Sequence, residues 1–301
     1  MRNIFKEYGL NLPKIIRRKH NNTVRIEFLK GLDDVMAKSV ISNMRANKKT
    51  GYYIPNVLPT TERLKLLEFF HTKIKSGGVK KGLLTTYPDS FKSFGFNGQP
   101  ISDDYFYEPY AVNSEILDRT ELDVNQLIQG ILMRLNSGKK VVPKPADSSG
   151  GIFHSYQFRS LSERQDTIFI HTENMTTRHI AKMNAMLGNY KLLLNDFSYF
   201  ICLQDTSGGE IVLFDYPWRE SQYADLSEPL NPKIVDPQEG PVECLKNGVL
   251  KKSISVKAGD MIIFNGGTTW HMVNKVRGTI DRVTLGGFIE PQNNGELYIW
   301  S

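Results

Sequence analysis

The second half of the chain consists of short apolar segments separated by turn residues. From about residue 166 onward it contains "TIFIH", "FSYFICLQ", "GEIVLF", "SISV", "DMIIF", "RVTLGGFI" and "LYIW". Glycine-bearing turns such as "DTSGGE" and "NGG" separate several of these segments. Short strands at this spacing are typical of an antiparallel sandwich or barrel rather than of alternating strands and helices. The pattern predicts a jelly roll.

The first half of the chain predicts helices. Between Thr120 and Gly138 apolar residues recur at intervals of three and four, and Thr120 and Asp123 have the spacing of a capping box. A second helix is predicted to begin after Pro59, with a threonine as its N-cap, and to end before Gly77.

The whole chain is expected to form one domain. With 301 residues and 40% apolar content, it is long enough to bury a large core. We expect residues 151–301 to form the jelly-roll core with the functional site, and residues 1–150 to supply mainly helical support and a lid. The expected fold class is therefore mainly β with α, with the helices packed outside the jelly roll.

Composition favours a cytoplasmic protein that binds neither membranes nor nucleic acid. No run of 18 apolar residues occurs, and the amino-terminal segment lacks the continuous hydrophobicity of a signal peptide. The two cysteines form neither a disulfide framework nor a CxxC motif. The net charge of +6 comes from basic residues dispersed in pairs, and not from a basic patch.

Three residues of the second half have the spacing of a metal site. His171 and Glu173 follow the segment "TIFI", and in an extended chain residues i and i+2 point to the same side. His271 follows a different strand after a glycine turn and can supply a third ligand. Two histidines and one carboxylate are the ligand set of non-heme Fe(II) oxygenases, because they leave adjacent positions of an octahedral ion open.

An arginine on a later strand predicts a binding site for a carboxylate. Arg282 lies eleven positions after His271, and Thr284 shares its face of the strand. A guanidinium and a hydroxyl together can hold the distal carboxylate of 2-oxoglutarate, whose keto-acid end chelates iron. The alternative for Arg282 is a surface ion pair.

Two further residues are candidates for contacts with small molecules. Tyr199 begins a strand that faces the barrel interior with alternate residues, so we assign it a contact with the cosubstrate; a tyrosine of the core is the alternative. Arg159, flanked by apolar residues in "YQFRSL", either faces the site or forms a salt bridge with a loop.

These motifs occur together in a known protein family. The stretches "IFIHTEN", "GDMIIFNGGTTWHMVNKVRGTIDRVTLGGF" and "LYIWS" resemble the iron- and 2-oxoglutarate-dependent oxygenases. Within that superfamily the chain is most similar to the freestanding aliphatic halogenases of hapalindole-type indole alkaloids, from about Gly51 to Ser301. The resemblance implies a double-stranded β-helix, Fe(II), 2-oxoglutarate and O₂, with release of succinate and CO₂.

One position departs from the halogenase pattern. The halogenases have a glycine where this chain has Glu173, and chloride binds iron in the space that the glycine leaves. A carboxylate here supplies the charge that chloride would bring. The resemblance and this departure together predict hydroxylation of an unactivated aliphatic carbon of a small molecule, in natural-product biosynthesis.

Two other functions are compatible with a jelly roll. A peptide or protein hydroxylase of prolyl-hydroxylase type is the alternative enzyme, and a ligand-binding jelly roll is the alternative without catalysis. A binding module of that kind has no need of three metal ligands facing an arginine. The basic charge would also suit a substrate tethered to an acidic carrier protein. Whether hydroxylation leads on to desaturation or ring formation stays open at this point, as does the oligomeric state.

Overall fold

The computed structural model describes residues 24–81, 84–88, 103–146, 150–163, 168–173, 197–217 and 251–301. The helices in these ranges are α1 Leu32–Lys38, α2 Val40–Arg45, α3 Thr60–Lys75, α4 Glu108–Thr120 and α5 Val124–Leu135. The strands are β1 Ile26–Phe28, β2 Gly51–Ile54, β3 Lys80–Lys81, β4 Thr85–Tyr87, β5 Val141–Pro143, β6 Gln157–Leu161, β7 Ile168–His171, β8 Phe197–Gln204, β9 Ser207–Gly208, β10 Ile211–Pro217, β11 Lys251–Ile254, β12 Met261–Phe264, β13 Thr269–Val273, β14 Val276–Arg277, β15 Arg282–Pro291 and β16 Leu297–Trp300. No helix among the described residues has the length and apolar character needed to cross a membrane.

The strands form two main sheets. Within the described ranges the larger sheet has ten strands in the order β1-β2-β12-β8-β15-β6-β4-β3, with β16 beside β15 and β5 beside β16. The smaller sheet has the order β11-β10-β13-β7. Most neighbours are antiparallel, whereas β1 with β2 and β16 with β5 are parallel. The predicted jelly roll with α-helices outside is confirmed.

The central strand β8 shows how the larger sheet separates two hydrophobic clusters. Phe200 and Cys202 point to the face that packs against the smaller sheet, which we call the inner face. Tyr199 and Ile201 point to the opposite, outer face. Successive side chains of a strand alternate between faces, so an almost wholly apolar strand can serve two cores at once. The inner cluster consists of residues from both sheets, chiefly Tyr53, Phe200, Cys202, Ile211, Leu213, Ile254, Ile262 and Phe264.

The helices cover the outer face. Leu66 and Phe70 of α3 are fully buried there. With Ile128 and Leu132 of α5 they belong to one hydrophobic cluster, which we call the outer cluster. This packing leaves the inner face to the smaller sheet. The strands β1 and β2, from the first half of the chain, extend the larger sheet. The proposed role of residues 1–150 as support and lid stays a prediction.

The structure corrects the predicted helix caps. Asp123 alone caps α5, because its carboxylate accepts a hydrogen bond from the backbone N–H of Gln126. Thr120 instead belongs to the last turn of α4, where its hydroxyl donates to the carbonyl of Ile116 at 2.7 Å. The predicted threonine cap of α3 is also wrong, since Pro59 occupies the N-cap position without a side-chain hydrogen bond.

We expect Asp123→Ala to lower the free energy of unfolding by about 1 kcal/mol, because the first turn of α5 loses its side-chain cap. Urea denaturation followed by circular dichroism measures the change. Asp118→Ala is the matched control, since Asp118 is an exposed acid of α4, and it should change stability by less than about 0.5 kcal/mol. Equal effects of the two substitutions would contradict the capping role.

Candidate metal centre

Two neighbouring strands of the smaller sheet bring the predicted histidines together. β7 and β13 are antiparallel, and His171 lies directly opposite His271 in their register. The centroids of the two imidazole rings are 4.2 Å apart. Glu173 lies two residues after His171, just beyond the end of β7.

The three side chains form a compact donor cluster. One ligand atom from each of His171, Glu173 and His271 lies within 4.8 Å of the others. The Oε1 atom of Glu173 is 3.9 Å from Nε2 of His171 and 3.8 Å from Nε2 of His271. Adjacent ligands of an ion at about 2.1 Å are separated by about 3 Å, so a contraction of about 1 Å would complete a metal site. The side chains are 17%, 11% and 6% exposed in that order, so the cluster is mostly shielded and His171 is its most exposed member.

Backbone contacts orient two of the three side chains. Nδ1 of His271 lies 2.8 Å from the carbonyl of Thr269, and a carbonyl only accepts, so we assign the ring proton to Nδ1. Nε2 then carries the lone pair that faces Glu173. The backbone N–H of Glu173 donates to the carbonyl of Gly266 at 2.9 Å and holds the residue against the turn before β13.

Gly266 lies so close to Ser198 and Glu173 that no side chain fits at its position. A Cβ atom at this position would lie 1.9 Å from Oγ and 2.9 Å from Cβ of Ser198, and 3.3 Å from Cγ of Glu173. The hydroxyl of Ser198 could rotate away, but its Cβ could not. The position therefore has to be glycine for Glu173 and Ser198 to pack as they do. The turn "NGG" contains this residue, but the sequence alone does not show its contact with Ser198.

Arg282 lies on the inner face, at the start of β15, and not at the surface. It is 7% exposed, and its guanidinium carbon lies 4.9 Å from the centroid of the Phe200 ring. Burial lowers the pKa of its guanidinium. Its buried Nη2 atom has no hydrogen-bond partner among the described residues. Thr284, 4% exposed, lies two residues further on the same face.

Tyr199 is not brought to this cluster, which corrects the predicted contact with the cosubstrate. Its ring lies in the outer cluster, and its hydroxyl donates to the carbonyl of Ser155 at 2.7 Å. The alternation along β8 places its neighbour Ser198 next to Glu173 instead. The alternative interpretation, a tyrosine of the core, matches this environment.

The described residues fit both groups that the sequence predicts, a divalent metal ion and 2-oxoglutarate. Imidazole and carboxylate donors suit Fe(II) and related divalent ions. A buried guanidinium nitrogen without a partner is costly, and a carboxylate would satisfy it with a charge-assisted hydrogen bond.

The fold and the donor cluster indicate which superfamily the protein belongs to. A jelly roll with this donor cluster is characteristic of the Fe(II)- and 2-oxoglutarate-dependent oxygenase superfamily, to which the protein belongs. A sequence model described as "Carrier-protein-independent halogenase WelO5" matches residues 38–301, and the chain belongs to that family.

Solved structures with this fold include a dioxygenase of N-substituted L-amino acids from Burkholderia ambifaria AMMD. Its TM-score is 0.52 at 13% sequence identity, covering 89% of this chain and 91% of that chain. The same enzyme in complex with α-ketoglutarate gives a TM-score of 0.51 at 12% identity, covering 89% and 92%. These likenesses support the fold. Comparison with curated protein sequences gave no match.

We expect Gly266→Ala to weaken binding of a divalent metal by about tenfold or more, because the added methyl group displaces Ser198 and Glu173. Titration with Ni(II) in a calorimeter measures the affinity. Gly130→Ala is the control, since a Cβ there meets no atom within 4 Å, and it should leave the affinity unchanged. Wild-type affinity in Gly266→Ala would contradict the described packing.

Proposed function

We propose that the protein is an Fe(II)- and 2-oxoglutarate-dependent dioxygenase that hydroxylates an unactivated aliphatic carbon of a small molecule. The observation that carries the proposal is the carboxylate of Glu173, less than 4 Å from Nε2 of both histidines. In the halogenases that the chain resembles, glycine stands at this position and chloride takes the place of the carboxylate. Membership of the halogenase family therefore comes with a ligand set typical of hydroxylases.

In this proposal His171, Glu173 and His271 hold one Fe(II). Bound iron would supply the activation of O₂, with 2-oxoglutarate as the electron donor that leaves as succinate and CO₂. The carboxylate of Glu173 would then supply the negative charge that chloride supplies in the halogenases, and would leave no place for a halide among the ligands.

The inner face would bind and orient the cosubstrate. Arg282 offers Nη2 to the distal carboxylate, and the nearby hydroxyl of Thr284 can donate to the same group. The rings of Phe200 and Phe264 line this region, the latter 4.9 Å from the ring of His271. Their apolar surface excludes water, which strengthens the contact between guanidinium and carboxylate.

We further propose that the substrate is a free small molecule of natural-product biosynthesis. The family is described as independent of a carrier protein, which argues against a tethered substrate. A peptide hydroxylase would need an open groove at the mouth of the jelly roll. Residues 89–102, 174–196 and 218–250 lie outside the described residues.

The test of the proposal is a screen of candidate small molecules for stimulated succinate formation in the presence of Fe(II), 2-oxoglutarate and O₂. A substrate should raise succinate formation and give a product heavier by one oxygen atom. His271→Ala should abolish both signals. A product with chlorine in place of hydrogen would contradict hydroxylation.

Arg282→Ala should raise the KM for 2-oxoglutarate by about 30-fold or more, since about 2 kcal/mol is the lower end of the effect for a buried charged contact. Metal affinity should stay within about twofold, because Arg282 is not among the three predicted ligands. Arg282→Lys should recover part of the loss, as a single ammonium cannot form the bidentate contact.

Arg277→Ala is the matched control for this substitution, since Arg277 is exposed, and it should leave the KM unchanged. An unchanged dependence on 2-oxoglutarate in Arg282→Ala would show that another residue binds the distal carboxylate.

Glu173→Gly should weaken iron binding and lower hydroxylation severely, because the site loses one ligand and one negative charge. At most a trace of chlorinated product is expected, since a halide also needs hydrogen-bond donors around the metal. Mass spectrometry of the product with and without chloride measures the outcome. Glu163→Gly, a change at an exposed acid, should behave like the wild type.

The wild type should give hydroxylated product at every chloride concentration. Chlorination by the wild type would show that Glu173 is not a metal ligand.

A further inference from the structure

A second arginine lies on the inner face, on the strand beside Arg282. Arg159 of β6 pairs with Thr284 of β15 on one side and with Thr86 of β4 on the other. Its neighbour Phe158 belongs to the outer cluster, so Arg159 faces the opposite way. The same face therefore presents two guanidinium groups, and that of Arg159 is close enough to Glu173 for their charges to interact.

Among the described residues, Gln157 and Phe288 hold the side chain of Arg159. Its Nε donates to Oε1 of Gln157 at 3.0 Å, and Nε2 of Gln157 donates to the carbonyl of Pro88 at 2.9 Å. Its guanidinium carbon lies 5.6 Å from the centroid of the Phe288 ring. The two terminal nitrogens make no hydrogen bond to any described residue, and the side chain is only partly buried. A positioned guanidinium thus presents its free edge to the interior.

The negative charge of Glu173, a predicted metal ligand, acts on the guanidinium of Arg159. Burial lowers the pKa of the Arg159 guanidinium, and the negative charge of Glu173 opposes that change. Burial is the main cause of the lowered pKa of Arg282. The positive charge of Arg159 lowers that pKa as well, because the two cations repel each other. Once Glu173 shares its charge with a divalent ion, and Arg282 holds the distal carboxylate of the cosubstrate, Arg159 needs another anion.

We propose that Arg159 binds a carboxylate of the organic substrate, which makes the substrate of this enzyme an anionic small molecule. This inference rests on the proposed function and specifies its substrate class. The planar edge of a guanidinium matches a carboxylate with two parallel hydrogen bonds. Gln157 and Phe288 hold that edge in a fixed direction, so the carboxylate anchors one end of the substrate and determines which carbon lies at the metal.

The test uses paired probes and does not require the natural substrate. A panel of aliphatic and aromatic monocarboxylic acids, each with its own primary amide, is titrated into protein loaded with Ni(II) and 2-oxoglutarate. At least one acid should bind about tenfold more tightly than its amide. Arg159→Gln should remove this preference, whereas Arg159→Lys should retain part of it. Absence of any preference in the wild type, or its persistence in Arg159→Gln, would overturn the proposal.

A second measurement decides whether Arg159 binds the substrate or the carboxylate of 2-oxoglutarate that would lie next to the metal. The Kd of 2-oxoglutarate should change by less than about twofold in Arg159→Gln, as in the exposed control Arg277→Gln. An increase of about tenfold would assign Arg159 to the cosubstrate and overturn the inference. Thermal unfolding curves that match the wild type establish that the variants are folded.

The two proposals fail in different ways. Wild-type protein that binds neither Ni(II) nor 2-oxoglutarate would contradict the proposed function, and the inference would fall with it. Wild-type protein that binds both but shows no preference for acids would contradict the role of Arg159 alone.

Discussion

The direct pairing of His171 with His271 across β7 and β13 is the constraint on which the candidate site depends. A slip of one residue in this register would turn one imidazole to the other face of the sheet. On its other side β13 pairs with β10, and this pairing places Leu213 of the inner cluster opposite His271. Packing between the two sheets therefore stabilises the arrangement of the donor atoms.

The inner face combines apolar packing with an unusual set of charges. Arg282 and Arg159 are two cations on neighbouring strands, and Glu173 is the acid whose charge acts on the second of them. Two cations beside one acid on a largely apolar face are unfavourable unless anions bind there. A dianionic cosubstrate and an anionic substrate would both relieve it. In the proposed function, the bound acids would therefore stabilise this face.

The sequence predicted many of the strands, because strands depend on local periodicity. It also placed His171 and Glu173 two residues apart, whereas the proximity of His271 depends on the long-range pairing of β13 with β7. "FSYFICLQ" and "LYIW" coincide with β8 and β16. The side of β8 on which Tyr199 lies could not be predicted, because its neighbours are apolar on both faces. The contact between Gly266 and Ser198 depends on the distant pairing of β8 with β12, so local sequence does not reveal it. The caps of α3 and α5 were misassigned because threonine also serves the ends and first turns of helices.

We propose that Glu173 occupies the place at the metal that a halide takes in the halogenases that this chain resembles. X-ray absorption at the iron edge measures this directly, on anaerobic protein with Fe(II), 2-oxoglutarate and saturating bromide. We predict a shell of nitrogen and oxygen ligands only, unchanged by bromide, because the carboxylate fills the position. A bromine neighbour of iron in the wild-type protein would contradict the account.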